Sequence, residues 1–203
     1  MRLIDTHSHL FLEEFSEDFP QVIERARAVG VTHIFMPNID STTIEAMLSA
    51  CSVYKGYCFP MIGLHPTSVN ANYEKELEIV ARELKFSKEY VAIGEIGMDL
   101  YWDKTYLKEQ QIVLDKQVNW ALEYDLPIVI HCRDAFDYIY KVLEPYKKTP
   151  LRGIFHSFTG TAEEATRVLE FSDFFIGING VVTFKKSHLP EILAGITLEK
   201  IVL

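Results

Sequence analysis

Short apolar, β-rich runs alternate with amphipathic stretches along the whole chain, and this alternation limits the fold more than any other feature. Strand candidates fall at residues 3–6, 31–37, 58–64, 91–95, 127–131, 153–156, 174–178 and 200–203. Between them lie segments with helical spacing. Residues 20–29 place Val22, Ile23, Ala26 and Val29 on one stripe and stop at Gly30. Thr42 with Glu45, and Thr161 with Glu164, have the spacing of capping boxes. Residues 104–124 form the longest helix candidate. Strands that are largely apolar and alternate with helices predict a parallel sheet covered by helices. Eight strand candidates, the last one short, favour an α/β (β/α)8 barrel of the TIM type. A doubly wound dinucleotide fold is disfavoured, because no glycine-rich phosphate turn follows the first strand.

Residues 1–203 are expected to form a single domain, since the chain carries no linker, repeat or low-complexity tract. No apolar run reaches the 18 or so residues of a membrane span, so no membrane association is expected. The first residues reach Asp5, His7 and His9 without a basic start and an apolar stretch, so no secretory leader is expected. The three cysteines, Cys51, Cys58 and Cys132, lack CxxC spacing. They suit a reducing cytoplasm and argue against structural zinc. A net charge of −9 argues against a broad groove for long nucleic acid. It leaves a phosphate substrate open, because bound dications can supply local positive charge.

The chemistry sits at the strand ends. His7 and His9 are two residues apart at the end of the first run, so on an extended strand they share a face. Two imidazoles so placed can share one divalent ion. His65, Glu95, His131 and His156 also fall at or just past the ends of apolar runs, where barrel active sites are built. Imidazole and carboxylate donors without thiolate suit Zn, Mg, Mn or similar ions in a catalytic site. Glu95 can bridge two ions, with His7 and His9 on one and His131 and His156 on the other. Two ions about 3.5–4 Å apart suit phosphoester displacement.

Five segments then carry a resemblance: Asp5-Thr6-His7-Ser8-His9, Gly63-Leu64-His65-Pro66, Gly94-Glu95-Ile96-Gly97-Met98-Asp99, Pro127-Ile128-Val129-Ile130-His131-Cys132-Arg133 and Phe155-His156-Ser157-Phe158-Thr159-Gly160. In this order they resemble the successive motifs of the TatD family of metal-dependent hydrolases, known chiefly as deoxyribonucleases. The resemblance implies a two-metal site on His7, His9, Glu95, His131 and His156 and 3′-to-5′ exonuclease or related phosphodiesterase activity on DNA or a small phosphodiester. It also implies that His65 faces the substrate phosphate, and that Asp99 stands beside the site. Glu95 and His65 are thus the expected catalytic residues.

Arg133, Ser157 and Thr159 are further candidates for the substrate. Arg133 can hold a phosphate bidentately, with Asp134 and Asp137 as competing salt-bridge partners. Ser157 and Thr159 lead into a helix whose free backbone N–H groups can bind phosphate. Tyr101 and Trp102 are candidates to stack a base or to pack the loop. Gln110 and Gln117 read as helix-to-barrel contacts, His33 and His188 as structural, and Cys132 as packed against a helix. The family pattern continues into an Asp after the eighth strand, which has no counterpart before Leu203. The barrel is therefore expected to be incomplete at its last strand, to lack its last helix, to leave apolar surface beside the first strand, and to offer an edge to a second copy. Two other functions stay open: an amidohydrolase cleaving a C–N or ester bond, and a metal-binding homologue with impaired catalysis.

Overall fold

In the computed structural model, which describes residues 2–203, eight parallel strands alternate with helices. The strands are β1 (Leu3–Asp5), β2 (Val31–Pro37), β3 (Cys58–Met61), β4 (Ile93–Asp99), β5 (Ile128–Arg133), β6 (Gly153–Phe155), β7 (Phe174–Gly177) and β8 (Ile201–Val202). The helices between them are α1 (Phe19–Ala28), α2 (Ile44–Val53), α3 (Tyr73–Phe86), α4 (Leu107–Glu123), α5 (Phe136–Leu143), α6 (Ala162–Leu169) and α7 (Leu189–Leu193).

The strands form two parallel sheets, β1-β2-β3 and β4-β5-β6-β7-β8. Hydrogen bonds cross both seams. Val91 N donates to Pro60 O (3.0 Å) and Gly94 N to Ile62 O (2.9 Å), joining β3 to β4. Thr6 N donates to Leu203 O (2.8 Å), joining the segment after β8 to the segment after β1. The edge expected to be open for a second copy is therefore engaged within the chain at Thr6, and nothing in the fold supports a homodimer there. Ile4 and Leu203 are exposed, beside a cavity of about 400 Å³ that also touches His7 and His156.

The main core cluster draws on β2 to β7 and on every helix; Met36, Ile93, Met98, Ile130, Phe155 and Phe174 are fully enclosed. Each such side chain contributes about 1.5–3 kcal/mol by leaving water. In β4 all seven residues are buried, as a strand covered on both faces requires.

Three local expectations change. The strand expected at 58–64 ends at Met61, and the chain turns into Gly63 and His65. The β4 run does not stop at Glu95 but continues four residues to Asp99. The Thr42–Glu45 capping box does not form: Thr42 Oγ1 donates to Asp40 Oδ1 (2.6 Å), and α2 starts after Thr43 with no side-chain cap. Asp40 outcompetes the helix end for that hydroxyl. The Thr161–Glu164 box forms fully, with Thr161 N to Glu164 Oε2 at 2.7 Å and Glu164 N to Thr161 Oγ1 at 3.2 Å.

Candidate metal centre

Glu95 stands at the centre of the strand ends. Between the pairs Ile93–Ile128 and Ile96–Ile130, two residues of β4 face one of β5, a bulge that re-aims the Glu95 side chain. Buried Asn38 backs this bulge: its N–H donates to Gly94 O (3.2 Å), and its carbonyl accepts from Glu95 N (3.3 Å). Gly97 follows at φ +136°, where any Cβ would overlap the His131 carbonyl. Only glycine fits there.

Four histidines surround the carboxylate. Glu95 Oε2 lies 2.9 Å from His7 Nε2 and 3.3 Å from His9 Nε2. Glu95 Oε1 lies 2.9 Å from His131 Nδ1 and 3.6 Å from His65 Nε2. Burial pushes the Glu95 carboxyl pKa up, but hydrogen bonds from His131, His65 and His7 prevail and hold it well below the usual carboxylate range. His131 is depressed by burial, and Glu95 and then Asp99 more than offset this, so its pKa is raised.

Each histidine is fixed by its own segment. Past β1, Asp5 accepts from His7 N (3.0 Å) and from Ser8 Oγ (2.5 Å), while Ser8 N donates to Phe35 O (3.0 Å). These bonds turn His7 and His9 inward until their Nε2 atoms are 3.1 Å apart. His131 Nε2 meets Asp99 Oδ2 at 2.9 Å, and Asp99 Oδ1 accepts from Tyr101 N (3.0 Å). His65 Nδ1 accepts from Thr67 N (3.2 Å), so the neutral ring carries its proton on Nε2. Behind the strand ends, Gln117 on α4 accepts from Leu64 N (2.7 Å) and donates to Leu64 O (3.3 Å). Gln110 makes the same pair of bonds with Asp99 N (2.9 Å) and O (3.1 Å).

Two groups of donor atoms converge closely enough for a cation: His7, His9 and Glu95, and His65, Glu95 and His131. The first fits a metal on its own chemistry. Two imidazole nitrogens face each other and the same carboxylate oxygen, while Nδ1 of both rings is buried without a hydrogen-bond partner. A dication satisfies that convergence as protons cannot, because only one hydrogen can lie between the two facing nitrogens.

Other expected residues lie further off. His156 is in neither group; its ring stacks on His7 with centroids 3.3 Å apart, and burial with the His7 charge lowers its pKa to about 3. Ser157 (φ +49°) accepts from Asn179 Nδ2. Thr159 lines a cavity of about 310 Å³ with His156, Cys132 and Glu164. The α6 N-terminus is partly filled by its own capping box. Arg133 stacks on Tyr101, while Asp137 pairs with Arg167 instead (2.7 Å). His33 is structural as expected, hydrogen-bonded to Thr32 and stacked on Phe59. Asp99 stands beside the site as the resemblance implies, whereas Asn38 carried no signal in the sequence.

Comparison with known proteins supports the same identification. The family profile described as TatD related DNase matches residues 4–203. The metal-dependent hydrolase YabD of Bacillus subtilis is 36% identical over 189 residues, 93% of this chain and 73% of that protein. A Pantoea protein named 3′-5′ ssDNA/RNA exonuclease TatD is 31% identical, over 99% of this chain and 77% of its own length. The crystal structure of the TatD homologue YjjV from Escherichia coli superposes with a TM-score of 0.91 at 29% identity, covering 100% of this chain and 78% of that one. With strand order, donor residues and sequence in agreement, the chain belongs to the TatD-related DNase family of metal-dependent hydrolases.

Proposed function

We propose that the protein hydrolyses phosphodiester bonds at the 3′ end of single-stranded nucleic acid, using two divalent ions held on either side of Glu95. The observation that carries this reading is the split of the Glu95 carboxylate, with one oxygen toward His7 and His9 and the other toward His131. Ions bound there supply charge neutralisation and activation of water at neutral pH. Glu95 stays anionic and gives each side one oxygen. Asp99 takes the Nε2 proton of His131 in a hydrogen bond, which leaves the Nδ1 lone pair aimed at Glu95; such an outer carboxylate orients a ligand and raises its basicity. His65 points Nε2 toward the same Glu95 oxygen as His131, where it would donate to a phosphate oxygen or complete the second donor group. His156 walls the first group through its stack on His7, and would add a further nitrogen donor beside it.

The nucleic-acid substrate is supported by the exonuclease name of the Pantoea relative. We read residues 1–203 as one catalytic domain, because both sheets share the main core. No helix among the described residues is long and apolar enough to cross a membrane. The buried free thiols Cys51 and Cys58, raised by burial to about 12 and 11, fit a reducing cytoplasm.

The test is stepwise shortening of a 5′-labelled single strand from its 3′ end. Chelation is expected to stop it and Zn, Mg or Mn to restore it, while Glu95→Gln lowers kcat by about 10²–10³-fold or more. Equal shortening by Glu95→Gln, or faster turnover of an amide panel than of any oligonucleotide, overturns the reading.

A further inference from the structure

Beside the donor groups, at the ends of β4 and β5, three side chains form a stack that holds none of the donors in place. The Arg133 guanidinium carbon lies 3.9 Å from the Tyr101 ring centroid and 5.2 Å from that of Trp102. The two rings meet edge to face, 4.8 Å apart. Trp102 is 71% exposed and Tyr101 53%, so neither adds much to the core. Among the described residues the Arg133 guanidinium has neither an ion pair nor a hydrogen bond, so its five donors face solvent.

The stack is nevertheless tied firmly to the site. Leu100 N donates to Arg133 O (2.9 Å), and Tyr101 N donates to the same Asp99 carboxylate that meets His131. Arg133 follows His131 by two strand residues, so their side chains leave the same face about 6.6 Å apart. An open indole face beside a planar cation suits one class of ligand: an unpaired base stacked on the ring, with its phosphate within reach of the guanidinium. A base pair inside a duplex presents no free face to it.

Building on the phosphodiesterase reading, we propose that Trp102, Tyr101 and Arg133 form a base-stacking platform that holds an unpaired nucleotide next to the cleaved one. The platform makes a single strand the preferred substrate. It reads stacking and phosphate, not the identity of the base.

The chain has two tryptophans, Trp102 and Trp120, so the platform carries its own reporter. Magnesium-loaded protein is titrated with a phosphorothioate-linked thymidine hexanucleotide, which binds with little turnover. Tryptophan fluorescence is expected to be quenched, equally so in Trp120→Phe, and the quench is expected to vanish in Trp102→Leu. Trp102→Leu should weaken binding about tenfold, Trp102→Phe much less, and Arg133→Gln should weaken it while flattening its salt dependence. A hexanucleotide backbone without bases should bind wild type and Trp102→Leu alike. Wild-type affinity in Trp102→Leu, quenching that disappears with Trp120 instead, equal loss on the baseless strand, or no binding by wild type each overturns the platform. Because binding is read without turnover, failure to cleave an unmodified strand counts against the phosphodiesterase reading alone.

Discussion

The β4–β5 pair and the β8–β1 seam contribute to the same site but are built very differently. In β4 every residue is buried, and its register with β5 runs from Ile93–Ile128 to Asp99–Arg133. Across the barrel, neither β1 nor β8 has a buried residue, and Thr6 is what links them through Leu203. Glu95, Asp99 and His131 rise from the first region, His7 and His9 from the second. The carboxylates and His131 are thus held by the core, whereas the His7–His9 pair depends on local bonds from Asp5 and Ser8. Preorganisation is concentrated on one side of the centre.

The strongest way to break this contrast is Gly97→Ala. Its φ and its overlap with the His131 carbonyl predict a loss of about 4 kcal/mol or more, seen as a protein that fails to fold or melts far lower. Near-normal melting would show that β4 is not the rigid half. Next, Gln117→Ala removes the partners of both the N–H and the carbonyl of buried Leu64 and is expected to cost about 1–3 kcal/mol in urea titration. On the other side, Thr6→Val keeps the backbone bond to Leu203 and deletes the hydroxyl bond, for about 0.5–1.5 kcal/mol. Native-state hydrogen exchange sharpens the comparison without mutation: amides of Ile96, Met98 and Ile130 should open only with global unfolding, and those of Thr6 and Ile178 well before. Equal protection on both sides would remove the distinction.

Much of this arrangement was legible because parallel strands leave continuous apolar runs ending in polar residues. Such runs located every strand, with β2 at its observed bounds. They misplaced the end of β4 for the same reason: in a strand buried on both faces the period of two is lost, so Glu95 looked like a terminus although Ile96–Asp99 continue the strand. The convergence of His7, His9 and Glu95 was readable from strand ends. The approach of His65 to Glu95 was not, since it crosses from the segment after β3 to a bulge in β4 that no local spacing encodes. The His156–His7 stack likewise joins residues 149 positions apart in the sequence. Asn38 and Asp99 act through contacts with backbone and a partner side chain, and their residue types alone look like ordinary turn residues.

Gln110 and Gln117 are seven residues apart on α4, almost two full turns, and therefore lie on one face about 10.5 Å apart. Each holds both backbone groups of one residue at a strand end, so the helix acts as a ruler that sets Leu64 against Asp99. A ruler tolerates no change in its graduations. One residue inserted between the two glutamines would swing one of them about 100° around the helix axis and release its strand end. The same insertion in the loop at residues 101–106 leaves both graduations in register. Length variation among relatives should accordingly gather on the loop side of Leu107 and avoid the two turns that follow.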